Sequence, residues 1–176
     1  MFRIASLLLL IPALAGQMTA QVRPAAAPVP GESLASLAWL LGGTWVSDVK
    51  DPSDGSVTHV ENRIRWAPNR HAIEFDTNFN GKPHYNGFYA WNPASRNISF
   101  FYTSSEGDLA TGTAASDADG RILRQEFDIV HADGRTGHLR STTERDGSDA
   151  YWFTAFMQKD GEWLQVFRIR YERKGD

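Results

Sequence analysis

Five histidines, at positions 59, 71, 84, 131 and 138, have the widest catalytic and metal-binding repertoire in this chain, yet none sits in a spacing that uses it. No two form His-x-His on an extended segment. His-Glu-x-x-His, which sets two imidazoles and a base on one helix face, is absent. There are no cysteines, which removes disulfides, thiolate metal sites, cysteine nucleophiles and iron–sulfur clusters together. Gly-x-Ser-x-Gly, the P-loop and the dinucleotide fingerprint are also absent, and Gly42-Gly43 reads as a helix stop and strand entry rather than a phosphate cradle. General acid–base chemistry needs a titratable group held beside the substrate, and Asp149 and Glu74 are the carboxylates to watch. The side chains that suit a ligand better are uncharged: Tyr89, Tyr102, Gln125, Ser141, Tyr151 and Gln165, with Thr111 and Thr113.

The elements must bring these together. The 176 residues are 41% hydrophobic, 22% charged and 12% aromatic, with a net charge of −3. That is the composition of a folded chain and not of a disordered one. No basic stripe of the kind that tracks a nucleic-acid backbone is present.

Ser33 opens a helix-like stretch in which Leu34, Leu37, Ala38 and Leu41 recur at helical spacing and Gly42 is a stop. After it the period changes to two. Turn signals then recur at 52–55, 67–70, 80–83, 92–95, 105–108, 118–120, 132–134, 145–147 and 159–161, nine turns separating ten runs. Sequential hairpins without helical crossovers predict an all-β, about ten-stranded antiparallel up-and-down β-barrel, because closure removes the edges. The short helix closes one end.

Three-residue loops at the last x-Asp-Gly turns set the pairing. At 132–134, Phe127 faces Leu139, Glu126 faces Arg140 and Asp128 faces His138. At 145–147, Leu139 faces Phe153, Ser141 faces Tyr151 and Arg140 faces Trp152. At 159–161, Phe153 faces Phe167, Met157 faces Trp163, Ala155 faces Gln165 and Trp152 faces Arg168. One face then carries Phe127–Leu139–Phe153–Phe167 as an interior row. The other carries Glu126–Arg140–Trp152–Arg168, an exterior ladder of opposite charge and cation–π contact. A four-residue loop at 93–96 sets Tyr89 opposite Phe100 and leaves Phe88 and Phe101 on the outer face. Runs 84–103 and 151–167 are therefore apolar on both sides, and their outer surface needs the N-terminal segment or another chain to cover it.

Gly43-Thr44-Trp45 at the entry to the first strand, after a short helix and before an antiparallel meander with a late arginine, resembles the lipocalin-like (calycin) group. Gly87-Phe88-Tyr89-Ala90-Trp91-Asn92-Pro93 with Ile98-Ser99-Phe100-Phe101-Tyr102 is similar to bacterial secreted lipocalin-like domains of unknown function. The resemblance covers residues 34–172. It implies that Trp45 plugs one end and that a late arginine, Arg168 or Arg170, packs across it, with Gly43, Trp45 and Arg168 as the structural set. Nitrobindin-like members bind haem through a strand histidine. Here His138 is the only superficial match, and its register places it outward beside Asp128, so no cofactor is implied beyond that one haem alternative. The Arg-x-Tyr that holds a carboxylate in the fatty-acid-binding branch is out of phase with Arg168-Ile169-Arg170-Tyr171.

Residues 1–20 read as a secretory signal, with Arg3 as basic region, an apolar run over Ile4–Leu14 and cleavage after 15 or 20. Residues 21–31 form a Pro/Ala-rich linker, and 32–173 the barrel. The run is short for a membrane span. The expectation is a periplasmic or secreted protein that holds a small, largely apolar or amphipathic ligand without catalysis. Its lining is Tyr89, Tyr102, Gln125, Phe127, Ser141, Tyr151, Phe153, Met157, Trp163, Gln165 and Phe167, with no metal. The alternatives are a cyclase, isomerase or decarboxylase on the same barrel, and a homodimerising module.

Overall fold

Period-two patterning from Thr44 onward folds as ten strands in a computed structural model that describes residues 31–175. The leader, its cleavage positions and the linker up to residue 30 lie outside the described residues. The strands are β1 (Thr44–Lys50), β2 (Val57–Trp66), β3 (Ala72–Phe79), β4 (Lys82–Asn92), β5 (Asn97–Ser104), β6 (Leu109–Ser116), β7 (Ile122–Val130), β8 (Thr136–Arg145), β9 (Ala150–Lys159) and β10 (Glu162–Lys174). Each pairs antiparallel with its sequence neighbours, and β1 pairs with β10 to close the barrel. The closing ladder has three rungs, Thr44–Lys174, Trp45–Arg173 and Val46–Glu172. No further rung pairs these two strands among the described residues. Among the described residues no helix is long and apolar enough to cross a membrane.

The opening helix differs from the α-type stripe. Glu32–Leu40 is a 3-10 helix. Three residues per turn stack every third side chain, so Leu34, Leu37 and Leu40 are buried and Ala38 is exposed. These leucines and Trp45 seal the end of the barrel that also bears the turns after β2, β4, β6 and β8.

The β4–β5 and β7–β8 registers agree with the turn-based pairing: Tyr89 faces Phe100, Phe127 faces Leu139 and Glu126 faces Arg140. The β8–β9 hairpin closes two residues later than its Asp-Gly signal. The Asp146 amide donates to the Ala150 carbonyl at 2.8 Å, and Arg145 Nε holds the Gly147 carbonyl at 2.8 Å. Ser141 therefore faces Ala155 and Leu139 faces Met157. The displacement is even, so every face is kept.

The β9–β10 turn has two residues, not three. Asp160 and Gly161 both take positive φ, 52° and 84°, the geometry that matches strand twist in a tight hairpin. This one-residue change turns Trp163 and Gln165 outward, opposite Gln158 and Phe156. A bulge at Val166 restores the phase, so Phe167 still faces inward and Arg168 outward. The exterior ladder keeps its chemistry but exchanges partners. Arg140 lies over Trp163 at 4.1 Å rather than over Trp152, and Arg168 covers Trp152 at 4.3 Å. On β6 the inward residues are Ala110, Gly112 and Ala114, and Thr111 and Thr113 point to solvent, which corrects their interior assignment.

Candidate functional site

The sealed end is built around Trp45, which is 0% exposed. Its indole Nε1 donates to the Leu40 carbonyl at 2.8 Å, and its ring meets Tyr151 edge-on at 4.8 Å. The guanidinium stacked on it at 4.1 Å belongs to Arg173, directly opposite on β10. Arg173 also donates to the carbonyls of Trp39 (3.0 Å), Leu41 (3.0 Å) and Gly42. Arg168 and Arg170 do not take this part. Arg168 faces outward over Trp152, and Arg170 pairs with Asp146 and Glu172 outside. The reason is register: the position opposite Trp45 lies three residues beyond Arg170.

Above this plug, polar groups form two short chains. Ser141 Oγ donates to Gln125 Oε1 at 2.8 Å, and Gln125 Nε2 donates to the Tyr89 hydroxyl at 3.2 Å. Thr77 Oγ1 donates to Asn62 Oδ1 at 3.4 Å, and Asn62 Nδ2 to the Tyr151 hydroxyl at 3.3 Å. These bonds satisfy polar groups that would each cost about 1–3 kcal/mol if buried alone.

Of the eleven lining positions expected, Tyr89, Gln125, Phe127, Ser141 and Tyr151 are buried inside the barrel, and Tyr102 and Phe153 are half-buried there. Met157 and Phe167 face inward near the open end, 41% and 46% exposed. Trp163 and Gln165 are outside it, for the reason given by the two-residue turn. The inner surface grades from sealed to open: β9 passes from buried Tyr151 and Ala155 to exposed Met157, and β10 from buried Tyr171 through Ile169 to exposed Phe167. Sequence reasoning missed Asn62, Thr77, Tyr85 and Tyr171. The signal for Tyr85 was available, four residues before Tyr89 on one strand and so on the same face.

All five tyrosines face inward. Burial raises the phenols of Tyr89, Tyr151 and Tyr171 far above their ordinary value. At neutral pH they remain protonated, fit to donate or accept hydrogen bonds and unfit to act as bases.

The titratable groups weighed for catalysis stand elsewhere. Glu74 pairs with Arg65 at 3.1 Å on the outer face, and Asp149 lies beside Arg173 at 3.7 Å outside the sealed end. Among the described residues no three His, Asp or Glu side chains converge as a metal set. His138 is outside the barrel. Its Nδ1 lies 2.7 Å from Asp128 and its Nε2 3.0 Å from Glu126. Only the imidazolium donates from both nitrogens. The Asp128 hydrogen bond, and after it that of Glu126, raises the His138 pKa above 6.5. The stabilisation it gives is therefore complete below pH 6.5 and is lost as pH rises through the higher folded value. A proton NMR titration is expected to place the His138 midpoint above 6.5, and Asp128→Asn to lower it. A midpoint at or below 6.5 in the parent chain would contradict this geometry.

Neither a scan of protein-family models nor a search of curated proteins finds a match to this chain.

Proposed function

We propose that the protein is a small-molecule binding protein of the periplasm or extracellular space that holds a largely apolar ligand inside the barrel. The carrying observation is the gradient along the inner face: one end plugged by Trp45 and three leucines, the other lined by accessible Phe153, Phe167, Tyr102 and Met157. Such a lining, apolar with a few hydrogen-bonding groups, fits a ligand that is mostly hydrocarbon. The Trp45–Arg173 stack beneath a short helix supports the lipocalin-like reading of the sequence, and the leader-like first twenty residues support export.

The test is native mass spectrometry of full-length protein exported to a periplasm and purified without detergent, followed by extraction into organic solvent. The expected result is a stoichiometric small molecule whose retention is lost in Phe153→Ala. Protein that is empty as isolated and takes up no apolar probe would overturn the reading. A second reading, a homodimerising module, draws on Phe88 and Phe101, stacked at 5.3 Å on the outer face with Phe88 41% exposed. Light scattering behind size exclusion decides it: a strict monomer at high concentration excludes it.

A further inference from the structure

The open rim carries polar groups that an apolar lining does not account for. The inward-facing row nearest the rim crosses four strands. Tyr85 on β4 stands opposite Ser104 on β5. The Ser104 amide donates to the Asp108 carbonyl at 3.0 Å, placing Asp108 opposite it at the entry to β6. Asp108 in turn meets His131, just past β7, at 3.3 Å. One row deeper, Tyr102 sits between Gly87 and Ala110, two residues too small to crowd its ring. Tyr85 and Tyr102 meet edge-to-face at 5.2 Å, and Phe79 flanks Tyr85 at 5.7 Å.

Asp108 differs from the other rim acids. Its side chain is 17% exposed, against 54% for Asp133. Oδ1 accepts from the Ala132 amide at 3.2 Å and faces His131. Among the described residues nothing donates to Oδ2, and neither the Tyr85 nor the Tyr102 hydroxyl has a hydrogen-bond partner. Burial raises the Tyr85 phenol, and the Asp108 and Glu106 carboxylates add to it. Tyr102 is raised by burial, then by Tyr85 and Asp108. The same carboxylate thus acts on both rings.

The surrounding charge points the same way. The five loops at this end, with their flanking strand residues, hold seven carboxylates against four Lys and Arg, whereas the four loops at the sealed end hold four of each. A negative, aromatic-walled opening concentrates cations and repels anions.

We propose that this rim is a headgroup site for a cationic amphiphile, an alkyl amine whose ammonium lies against Asp108 Oδ2 and the faces and hydroxyls of Tyr85 and Tyr102 while its apolar body runs into the barrel. Aromatic faces beside a carboxylate are the chemistry that recognises ammonium groups. The inference rests on the interior-binding reading above and deepens it.

The experiment compares three probes of equal chain length on the full chain by calorimetry: octylammonium, 1-octanol and octanoate. Octylammonium is expected to bind about tenfold or more tightly than either. Asp108→Asn keeps the Oδ1 acceptor and is expected to abolish that preference. Should that variant fail to fold, Tyr85→Phe with Tyr102→Phe keeps both rings and is expected to reduce the preference. Raising the salt concentration on the parent chain is expected to weaken octylammonium alone. Equal affinity for all three probes, a preference for octanoate, or an Asp108→Asn variant that keeps the amine preference would overturn the headgroup site while interior binding stands. Failure of all three probes to bind would overturn both.

Discussion

Trp45→Ala is expected to cost about 3–5 kcal/mol of stability, in the range for removing a fully buried tryptophan, and to lower Tm by roughly 10 °C or more. The indole fills the space between Leu40, Tyr151 and the Arg173 guanidinium, and its N–H is satisfied by the Leu40 carbonyl. Removing it leaves a cavity that the 3-10 helix cannot collapse into, because Leu34 and Leu37 are already packed at 1% and 0% exposure. The carbonyls of Trp39, Leu41 and Gly42 depend on the same arginine. Arg173→Ala should therefore cost about 2–3 kcal/mol, the scale of hydrogen bonds to a charged group. The two losses should fall short of additivity in the double variant, since each removes the other's partner. Guanidinium unfolding followed by circular dichroism measures all three. A Trp45→Ala cost below about 1 kcal/mol would mean the plug is not what seals this end.

Gly112→Ala, the addition of a single methyl, is expected to cost about 3 kcal/mol, the upper end of overpacking penalties. On β6 this glycine lies opposite Phe100 on one side and Phe127 on the other. The two rings meet edge-to-face at 5.1 Å, across the space a side chain would occupy. A Cβ there would lie 2.2 Å from the Glu126 carbonyl oxygen and 2.4 Å from Phe127 Cβ, so backbone has to move. Gly87 plays the same part between Phe75 and Tyr102. Thr113→Ala, the next residue but outward and exposed, is expected to stay within about 0.5 kcal/mol. Hydrogen exchange should show lost amide protection across β6 and β7 in the glycine variant alone. Comparable stability of the two variants would contradict this placement of the rings.

The architecture was legible because each turn carries its own signature and each strand its own alternation. Nine local signals suffice for ten strands, and no long-range inference is needed. Faces were legible wherever the loop length was right or wrong by an even number, as at Asp146–Ala150. They failed at the β6–β7 turn, where a loop of four residues instead of three puts Ala114 rather than Thr113 opposite Gln125, and at Asp160-Gly161, where two and three residues are both compatible with the same dipeptide. Only the φ of Asp160 and the bulge at Val166 decide between them, and neither leaves a compositional mark. The arginine over Trp45 is set by the β1–β10 register, which places Arg173 opposite it, and no local signal marks that long-range pairing. The rim site was the least legible part. Asp108 and His131 sit in loops, where period-two reasoning stops, and only the Ser104–Asp108 hydrogen bond puts the carboxylate in phase with Tyr85.

The three-rung seam between β1 and β10 has a mechanical meaning. Thr44 and Lys174 are directly opposed at its outer end, so a pull applied at these two residues loads one rung at a time, as peeling, and never shears the ladder as a whole. The barrel is in this sense a clasp and not a hoop. Its ring parts where Thr44 and Lys174 meet, while the nine hairpin ladders stay joined by covalent turns. A connector closing this seam as one more hairpin cannot run directly from Lys174 to Thr44, because the helix that seals this end of the barrel precedes Thr44 in the chain.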